Sequence, residues 1–213
     1  MTDTTTGTSP VSEMTFDGLQ IRFDERVLTP RAWTRLQSQW AAELLPGVPE
    51  GPVLELCSGA GQIGLAAVRR SGRRLVCVDR DPVAVEYAIL NARDAGMLER
   101  VEVRRAPLTA ALAPDEQFPL VIADPPWVRR AEVGSHPEDP VGAIDGGADG
   151  LAVARACLQV AAGHLARGGL VLLQLGSVEQ ADCLRPLARG LGLDLREVRV
   201  GERGVVVLLA PCA

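Results

Sequence analysis

The sequence predicts an α/β fold in which strands and helices alternate around one mostly parallel, Rossmann-like sheet. Two patterns support this prediction. Apolar runs of strand length alternate with helical segments along the chain, and two last runs form a closing hairpin. The predicted strands cover 52–57, 74–78, 101–105, 121–123 and 170–175, the predicted helices cover 62–70, 82–95, 151–166 and 177–191, and the hairpin joins 193–200 to 204–209.

Composition indicates one globular domain. The chain has 213 residues, of which 47% are hydrophobic, and a net charge of −5. This length and apolar content allow a substantial core. The negative charge gives no global electrostatic footprint for nucleic acid, although a local basic patch would still suffice. No apolar run approaches the roughly 20 residues of a membrane span.

The cysteines predict a reducing, cytoplasmic environment. Their number is odd, and they form neither a Cys-x-x-Cys pair nor a spacing typical of a metal site, so we predict no metal ligands. The five are Cys57, Cys77, Cys157, Cys183 and Cys212.

The first 50 residues divide into a tail and a small structured segment. Residues 1–14 are polar and Thr-rich, which predicts a disordered tail. In 15–50, Asp17-Gly18 between apolar residues predicts a hairpin. A helix over 33–45 follows, because Leu36, Trp40 and Leu44 recur at a spacing of four.

A glycine turn follows the first core strand and predicts a ligand-binding loop. Gly59 and Gly61 let the backbone approach a ligand closely. Asp79 lies 20 residues after Gly59, the spacing at which an acidic residue reaches ribose hydroxyls. The run from Gly59 to Gly64 also satisfies the dinucleotide fingerprint, which leaves a nicotinamide oxidoreductase as an alternative. Glu55, a carboxylate placed to meet a cationic amine, and the short chain both oppose that alternative.

The run Asp124-Pro125-Pro126-Trp127 predicts the second half of the site. Two prolines cannot continue a sheet ladder, so the strand stops there, at the edge where open parallel sheets bind ligands. Asp124 and the carbonyl of Pro125 can each accept a hydrogen bond from an NH2 group, while Trp127 can stack on a planar group. We therefore predict a site for a planar, amine-bearing group, with a purely structural turn as the alternative.

Four stretches resemble the HemK-like family of class I methyltransferases. The run Asp124 to Trp127 is similar to the (Asn/Asp)-Pro-Pro-aromatic signature of enzymes that methylate planar NH2 nitrogens. The run Glu55 to Gly61 is similar to the family's cofactor loop. Pro30-Arg31-Ala32-Trp33-Thr34 resembles a Pro-Arg-x-x-Thr segment that covers the cofactor, with Arg35 where the family usually has Glu. Ala143 to Leu151 resembles Ala-Leu-x-Gly-Gly-x-Asp-Gly-Leu.

The resemblance implies a fold, a cofactor and a set of site residues. The fold is a seven-stranded class I methyltransferase sheet whose last strand is antiparallel, with 15–50 covering the cofactor site and 51–213 as the catalytic domain. The cofactor is S-adenosyl-L-methionine. Its implied contacts are Thr34, Glu55, Cys57, Gly59, Gly61, Asp79, Arg80, Ala106 and Asp124, the catalytic residues are Asp124, Pro125 and Trp127, and the substrate contacts are Trp33, Trp127 and Arg129.

Two departures from the family pattern bear on cofactor and substrate. Ala106-Pro107 replaces the Asp that meets adenine in most relatives, so that contact would fall to backbone and apolar groups. Position 124 carries Asp where most relatives have Asn, and Asp is common in adenine-directed enzymes. An ionised Asp accepts hydrogen bonds but does not donate them.

The methyl acceptor therefore stays open at this point. The resemblance implies the glutamine amide of a release-factor-like protein. However, the roughly 50 residues before the first core strand leave no room for the helical N-terminal domain of bacterial release-factor enzymes, and shorter relatives use a partner subunit. The alternatives are a small biosynthetic amine or amide, an adenine in RNA or DNA (not favoured), and cofactor binding without catalysis. No membrane partner is expected.

Overall fold

The computed structural model describes residues 10–212 and confirms the predicted α/β fold. Nine strands and six α-helices follow one another in this part of the chain. In order they are β1 Ser12–Phe16, β2 Leu19–Phe23, α1 Arg35–Leu44, β3 Val53–Leu56, α2 Gln62–Val68, β4 Leu75–Asp79, α3 Pro82–Asp94, β5 Val101–Arg105, β6 Phe118–Ala123, α4 Val141–Ile144, α5 Ala152–His164, β7 Leu165–Leu175, α6 Val178–Gly190, β8 Leu193–Val200 and β9 Val205–Pro211.

Seven strands form the main sheet in the order β5-β4-β3-β6-β7-β9-β8. The neighbours from β5 to β7 are parallel, while β9 pairs antiparallel with both β7 and β8. The last strand in the chain is thus inserted antiparallel, as the resemblance implied. Successive strands are added on one side of β3 as far as β5 and on its other side from β6 onward, so the strand order reverses at β3. The carboxyl ends of β3, β4 and β6 border the crevice in which such sheets bind ligands.

Two hydrophobic layers cover the sheet. The hairpin β1–β2 and helices α1 to α3 pack on one face, in a cluster that includes Phe16, Trp40 and Leu65. Helices α5 and α6 pack on the other face, around residues such as Leu158 and Leu184. In the described part of the chain, no helix has the length and apolar content to cross a bilayer.

The hairpin forms where Asp17-Gly18 predicted it and is tied to the core. Asp17 and Gly18 have φ values of 46° and 78°, as a tight turn between twisted strands requires. The Asp17 carboxylate accepts a hydrogen bond from Ser38 of α1 at 2.8 Å, and its carbonyl accepts one from Arg69 at 2.7 Å. Residues 15–50 therefore pack as part of the same body as the sheet.

Several predicted boundaries differ from the structure. The strand predicted over 121–123 starts at Phe118, and the helix predicted over 151–166 ends at His164. Strand β1 starts at Ser12, so 12–14 belong to the hairpin rather than to the predicted tail, while residues 1–9 lie outside the described part. The helix predicted over 33–45 begins with a 3-10 turn, and its α-helical part starts at Arg35. Strand β7 starts at Leu165 instead of residue 170, because a bulge at 166–169, with Gly168 at a φ of 78°, keeps the chain paired to β6.

Candidate active site at the carboxyl edge of the sheet

The carboxyl ends of β3, β4, β5 and β6 open into one cavity of about 480 Å³. This volume is typical of small-molecule sites. Other parts of its wall come from segment 26–34, from residues 140–143 and from the start of α5. Of the predicted site residues, seven line it: Thr34, Cys57, Gly59, Asp79, Arg80, Ala106 and Asp124.

The loop after β3 has the conformation that its glycines permit. Cys57, Gly59 and Gly61 have φ values of 57°, 52° and 80°. The Gly61 N–H donates to the carbonyl of Ser58 at 2.8 Å and closes the turn. A side chain at Gly59 would meet nothing within 4 Å, so this glycine leaves open space at the cavity wall. Gly61 does not line the cavity and instead faces Ala88 and Leu65.

Asp79 connects β4 to the glycine loop. Its carboxylate accepts hydrogen bonds from the N–H groups of Gly59 and Asp81, both at 2.9 Å. Burial raises the pKa of this carboxyl above its usual value. Asp79 lines the cavity beside Arg80, and this position suits the predicted contact with ribose hydroxyls.

Glu55 lies beneath the loop and not at the cavity wall. Its side chain is fully buried and accepts hydrogen bonds from the Gly64 N–H at 2.9 Å and from the Cys77 thiol at 3.3 Å. Burial raises its pKa to about 7. A Cβ atom on Gly64 would come within 2.4 Å of this carboxylate. Glu55 thus fixes the start of α2, and it does not line the cavity, although the sequence predicted a contact between its carboxylate and the cofactor.

Asp124 follows β6 and faces the cavity without a protein partner. No residue within 10–212 donates a hydrogen bond to its carboxylate, whereas its backbone N–H contacts the carbonyl of Leu56 at 3.4 Å. Desolvation alone raises the pKa of this carboxyl to about 7. Of the two prolines that follow, Pro126 lines the cavity, whereas Pro125 is buried and does not line it. The free carboxylate is the strongest acceptor available to a ligand at this end.

Trp127 is held in place by Gly176 and Gln180, which follow β7. Its carbonyl accepts a hydrogen bond from Gln180 at 3.0 Å, and its ring lies so close to Gly176 that a Cβ atom there would come within 2.5 Å. Gly146 packs on the Pro126 carbonyl in the same way. Trp127 is half-buried and does not line the cavity, so the predicted stacking surface lies outside the cavity.

The long loop after Trp127 is ordered, which the sequence did not predict. It contains a 3-10 helix at Arg130–Ser135 and the short helix α4. Parallel backbone hydrogen bonds join Val128 to Ile144 and Gly146 at 3.1 and 2.8 Å. The Ala143 to Leu151 segment therefore forms a rigid support for the Asp-Pro-Pro-Trp turn.

An ion pair and a hydrogen bond join this loop to other parts of the cavity wall. The Arg31 guanidinium forms an ion pair with Asp139, and Arg80 donates to the carbonyl of Gly142 at 3.2 Å. Asp139 also lies near His136 and Glu138, with ligand atoms of all three within 4.8 Å of one another. Since Asp139 is already paired with Arg31, we assign no metal to this group.

The remaining predicted substrate contacts lie outside the cavity. Trp33 is half-buried, and the guanidinium groups of Arg31 and Arg203 each lie 5.4 Å from its ring centroid. Arg129 is exposed. Thr34 lines the cavity, and its hydroxyl donates to the carbonyl of Arg31 at 2.8 Å.

Sequence reasoning missed two polar residues of the wall. Ser58 and Gln62 line the cavity and are buried, yet the Ser58 hydroxyl and the Gln62 Oε1 have no hydrogen-bond partner within 10–212. A polar Gln before the apolar run 63–68 is a signal that could have identified Gln62. A buried polar group without a partner is unfavourable, so a ligand that bonds these atoms would be stabilised.

Comparisons with known proteins agree with this geometry. Residues 37–136 match the family model "Methyltransferase small domain". The chain is 32% identical over 182 residues to the release factor glutamine methyltransferase of Moorella thermoacetica, covering 83% of this chain and 64% of that protein. It is 30% identical over 199 residues to the corresponding protein of Burkholderia pseudomallei, covering 86% and 68%.

The chain belongs to the HemK-like family of class I S-adenosylmethionine-dependent methyltransferases. A further relative, the ribosomal protein uL3 glutamine methyltransferase of Bradyrhizobium diazoefficiens, is 33% identical over 78% of this chain and 56% of its own length. The chain spans 56% to 68% of the length of these three curated relatives.

A solved structure supports the fold assignment for this HemK-like chain. The ribosomal protein L11 methylase of Lactobacillus delbrueckii subsp. bulgaricus superimposes with a TM-score of 0.66 at 14% identity, covering 88% of this chain and 83% of that one. At this identity the likeness concerns the fold alone.

The cavity fits the cofactor that HemK-like membership implies, S-adenosylmethionine. Gly59 leaves open space at the wall, Ser58 and Gln62 offer unpaired polar atoms, and Asp79 and Asp124 supply carboxylates for hydroxyl and cationic groups. Ala106 lines the cavity and offers an apolar surface that an adenine face can contact.

Proposed function

We propose that this protein is an S-adenosylmethionine-dependent N-methyltransferase that acts on a glutamine side-chain amide of a protein. The main support for this activity is Asp124. Its carboxylate lines the cavity, accepts no hydrogen bond from residues 10–212, and lies in a rigid Asp-Pro-Pro-Trp turn. The names of the relatives, which act on release factors or on ribosomal protein uL3, support a protein amide as acceptor. We also propose a cytoplasmic location. None of the cysteines in the described residues forms a disulfide bond, as expected in a reducing compartment.

The cofactor supplies an activated methyl group when it is bound. The protein's task is then to orient an amide nitrogen, which is a weak nucleophile because its lone pair is delocalised over the carbonyl. Asp124 would accept one N–H hydrogen bond, and the Pro125 carbonyl, held by the Pro126 ring, would accept the other. Two acceptors fix the NH2 plane and aim the nitrogen lone pair. Orientation of this kind can be worth about 7–11 kcal/mol of barrier.

Trp127 and Trp33 would hold the rest of the acceptor. Both rings are half-buried and lie outside the cofactor cavity, so they remain available to a second molecule. Gly176 lies against the Trp127 ring, and Gly150 lies against the Trp127 backbone carbonyl. The exposed side chain of Arg129, two residues later, is placed to meet a larger partner.

The test is transfer of a labelled methyl group to purified proteins. We would incubate the protein with labelled S-adenosylmethionine and, separately, a release factor, ribosomal protein uL3, RNA and a small-molecule extract. We expect label on a glutamine of one of the two proteins. At saturating cofactor we expect Asp124→Ala to lower turnover about 100-fold, a loss beyond any weakening of cofactor binding by the same substitution. Label on an RNA adenine instead would replace the acceptor with a nucleobase, for which an ionised Asp is also a suitable acceptor. Full turnover by Asp124→Ala would remove the mechanism.

A further inference from the structure

A buried glutamine of α1 reaches the carboxyl ends of two central strands. Gln37 is fully buried. Its Nε2 group donates hydrogen bonds to the carbonyl of Ala123, the last residue of β6, at 2.9 Å and to the carbonyl of Leu172 in β7 at 3.2 Å. Gln37 does not line the cavity, so it can affect a reaction there only through the residues that it contacts.

The Ala123 carbonyl belongs to the peptide unit that leads into Asp124. A peptide unit is planar, so its C=O and its N–H turn together. The N–H of this unit contacts the carbonyl of Leu56 in β3 at 3.4 Å, which is longer than a usual backbone hydrogen bond. The bond from Gln37 is the shorter of these two contacts, so it holds the orientation of the unit more firmly. That orientation sets the direction in which the Asp124 side chain leaves the backbone.

Gln37 acts at the point where strand pairing stops. The two residues after Asp124 are Pro125 and Pro126, which have no N–H and cannot continue the ladder. The side chain of Gln37 thus supplies a donor to the last carbonyl of β6 from outside the sheet. Helix α1, which carries it, is itself anchored, because the Ser38 hydroxyl donates to the Asp17 carboxylate of the hairpin at 2.8 Å.

The stability of the fold does not explain a glutamine at this position. The Gln37 Oε1 atom has no hydrogen-bond partner within residues 10–212, and a buried polar atom without a partner opposes folding. Strands β6 and β7 each pair with a neighbour on both sides, so the sheet holds them without this side chain. An apolar side chain of similar size would avoid the cost of the buried amide.

We propose that Gln37 is a positioning residue for Asp124 in methyl transfer. Its amide fixes the peptide unit before Asp124, and thereby keeps the carboxylate in the orientation from which it accepts a hydrogen bond from the NH2 group of the acceptor. This inference deepens the proposed function and rests on it for the reaction. It gives a role to a residue outside the predicted site.

Steady-state kinetics of Gln37→Met test the role in the reaction. Methionine has nearly the length of glutamine but carries no donor. We expect kcat to fall about 10- to 100-fold, because a small displacement of an orienting group is costly, while the KM of the acceptor protein and the binding of S-adenosylhomocysteine change little. The melting temperature should stay at the wild-type value, whereas a purely structural role would lower it. Gln159→Met, the same change at an exposed position of α5, is the control and should keep wild-type kinetics.

Carbon-13 NMR titration of the Asp124 carboxyl group tests the same role without a methyl acceptor. Burial raises the pKa of this carboxyl to about 7. Without the Gln37 bond the side chain can turn toward solvent in the cavity, so in Gln37→Met this pKa should fall toward its usual value of 3.8. The signal is identified by its absence from the spectrum of Asp124→Asn, and Gln159→Met should leave the pKa unchanged.

The outcomes separate this inference from the proposed function. An unchanged kcat, or an unchanged Asp124 pKa, in folded Gln37→Met overturns the positioning role while the methyltransferase proposal stands. If the wild-type protein transfers no methyl group to a protein, the proposed function fails, and the NMR titration then decides whether Gln37 positions Asp124. If Gln37→Met does not fold, Gln37→Leu carries the same comparison with the same expected direction. If neither variant folds, Gln37 is a structural residue and the inference is overturned.

Discussion

The Asp79 carboxylate accepts a hydrogen bond of 2.9 Å from the backbone N–H of Gly59, which lies 20 residues earlier in the chain. A second N–H, from Asp81, contacts the same carboxylate at 2.9 Å. One side chain thus holds the glycine loop of β3 and the turn after β4 in a fixed relation. It also lines the cavity, so its free lone pairs can meet a ligand.

Asp79→Ala is expected to weaken binding of S-adenosylhomocysteine about 10- to 100-fold. The variant removes both the loop contact and the acceptor for ribose hydroxyls, and hydrogen bonds to a charged group contribute about 1.5–3 kcal/mol each. Calorimetric titration measures the change. Asp115→Ala, at an exposed position, is the control and should bind as the wild type does. An unchanged dissociation constant for Asp79→Ala would show that the cofactor lies elsewhere.

Asp124→Asn is expected to stabilise the ligand-free protein at alkaline pH. Burial raises the pKa of Asp124 from 3.8 to about 7, so the folded protein binds its proton more tightly than the unfolded chain. Stability contributed by this proton is complete below pH 4 and is lost as pH rises toward 7. Asn cannot ionise and does not suffer this loss. The gain from the substitution should therefore grow between pH 4 and 7 and reach about 2–4 kcal/mol above pH 7.

Urea unfolding at pH 5 and pH 8 measures this difference. Glu55, whose pKa is also raised to about 7, adds a pH-dependent loss to both proteins. The main cause, burial, is common to both, but the Asp124 charge also raises the Glu55 pKa, so Asp124→Asn removes that smaller part of the loss as well. Asp115→Asn, at an exposed position, should shift stability little at either pH. A gain for Asp124→Asn that does not depend on pH would mean that its carboxylate is not desolvated as the structure indicates.

The fold could be predicted from local sequence patterns, because each turn and each strand end is set by residues at that position. Asp17-Gly18 forms its turn from positive φ values, and the Pro-Pro pair ends β6 because proline has no N–H. The contacts of Glu55 and Trp127 could not be predicted from the local sequence. Glu55 contacts Cys77, which lies 22 residues later in the chain, and the Trp127 ring contacts Gly176, which lies 49 residues later. Only the tertiary structure shows that these distant residues are neighbours. The free atoms of Gln62 and Ser58 escaped prediction for the same reason, since a missing partner is visible only once every neighbour is placed.

Gly176→Ala is expected to reduce methyl transfer without weakening cofactor binding. A Cβ atom at this position would lie 2.5 Å from the Trp127 ring and 3.0 Å from Gln180, so the ring must shift. A displacement near 1 Å can cost about 100-fold in rate when a side chain orients a substrate. Steady-state rates and cofactor titration measure the two effects separately. Gly163→Ala, which meets nothing within 4 Å in α5, is the control and should retain full activity.

The ion pair between Arg31 and Asp139 is expected to slow cofactor release. It joins segment 26–34 to the loop after Trp127, and both sides of this link line the cavity, through Thr34 on one side and Pro140 on the other. The Arg31 and Asp139 side chains are 25% and 9% exposed, so the pair is partly shielded from solvent. Arg31→Ala and Asp139→Ala should each raise the dissociation rate of S-adenosylhomocysteine about five- to tenfold, in line with a coupling of about 1 kcal/mol. Stopped-flow displacement measures the rates.

The double variant should release the ligand no faster than the faster-releasing of the two single variants, because the second substitution removes a partner of an ion pair that is already broken. Additive effects of the two substitutions would instead show that Arg31 and Asp139 act independently, and that the ion pair does not close the cavity.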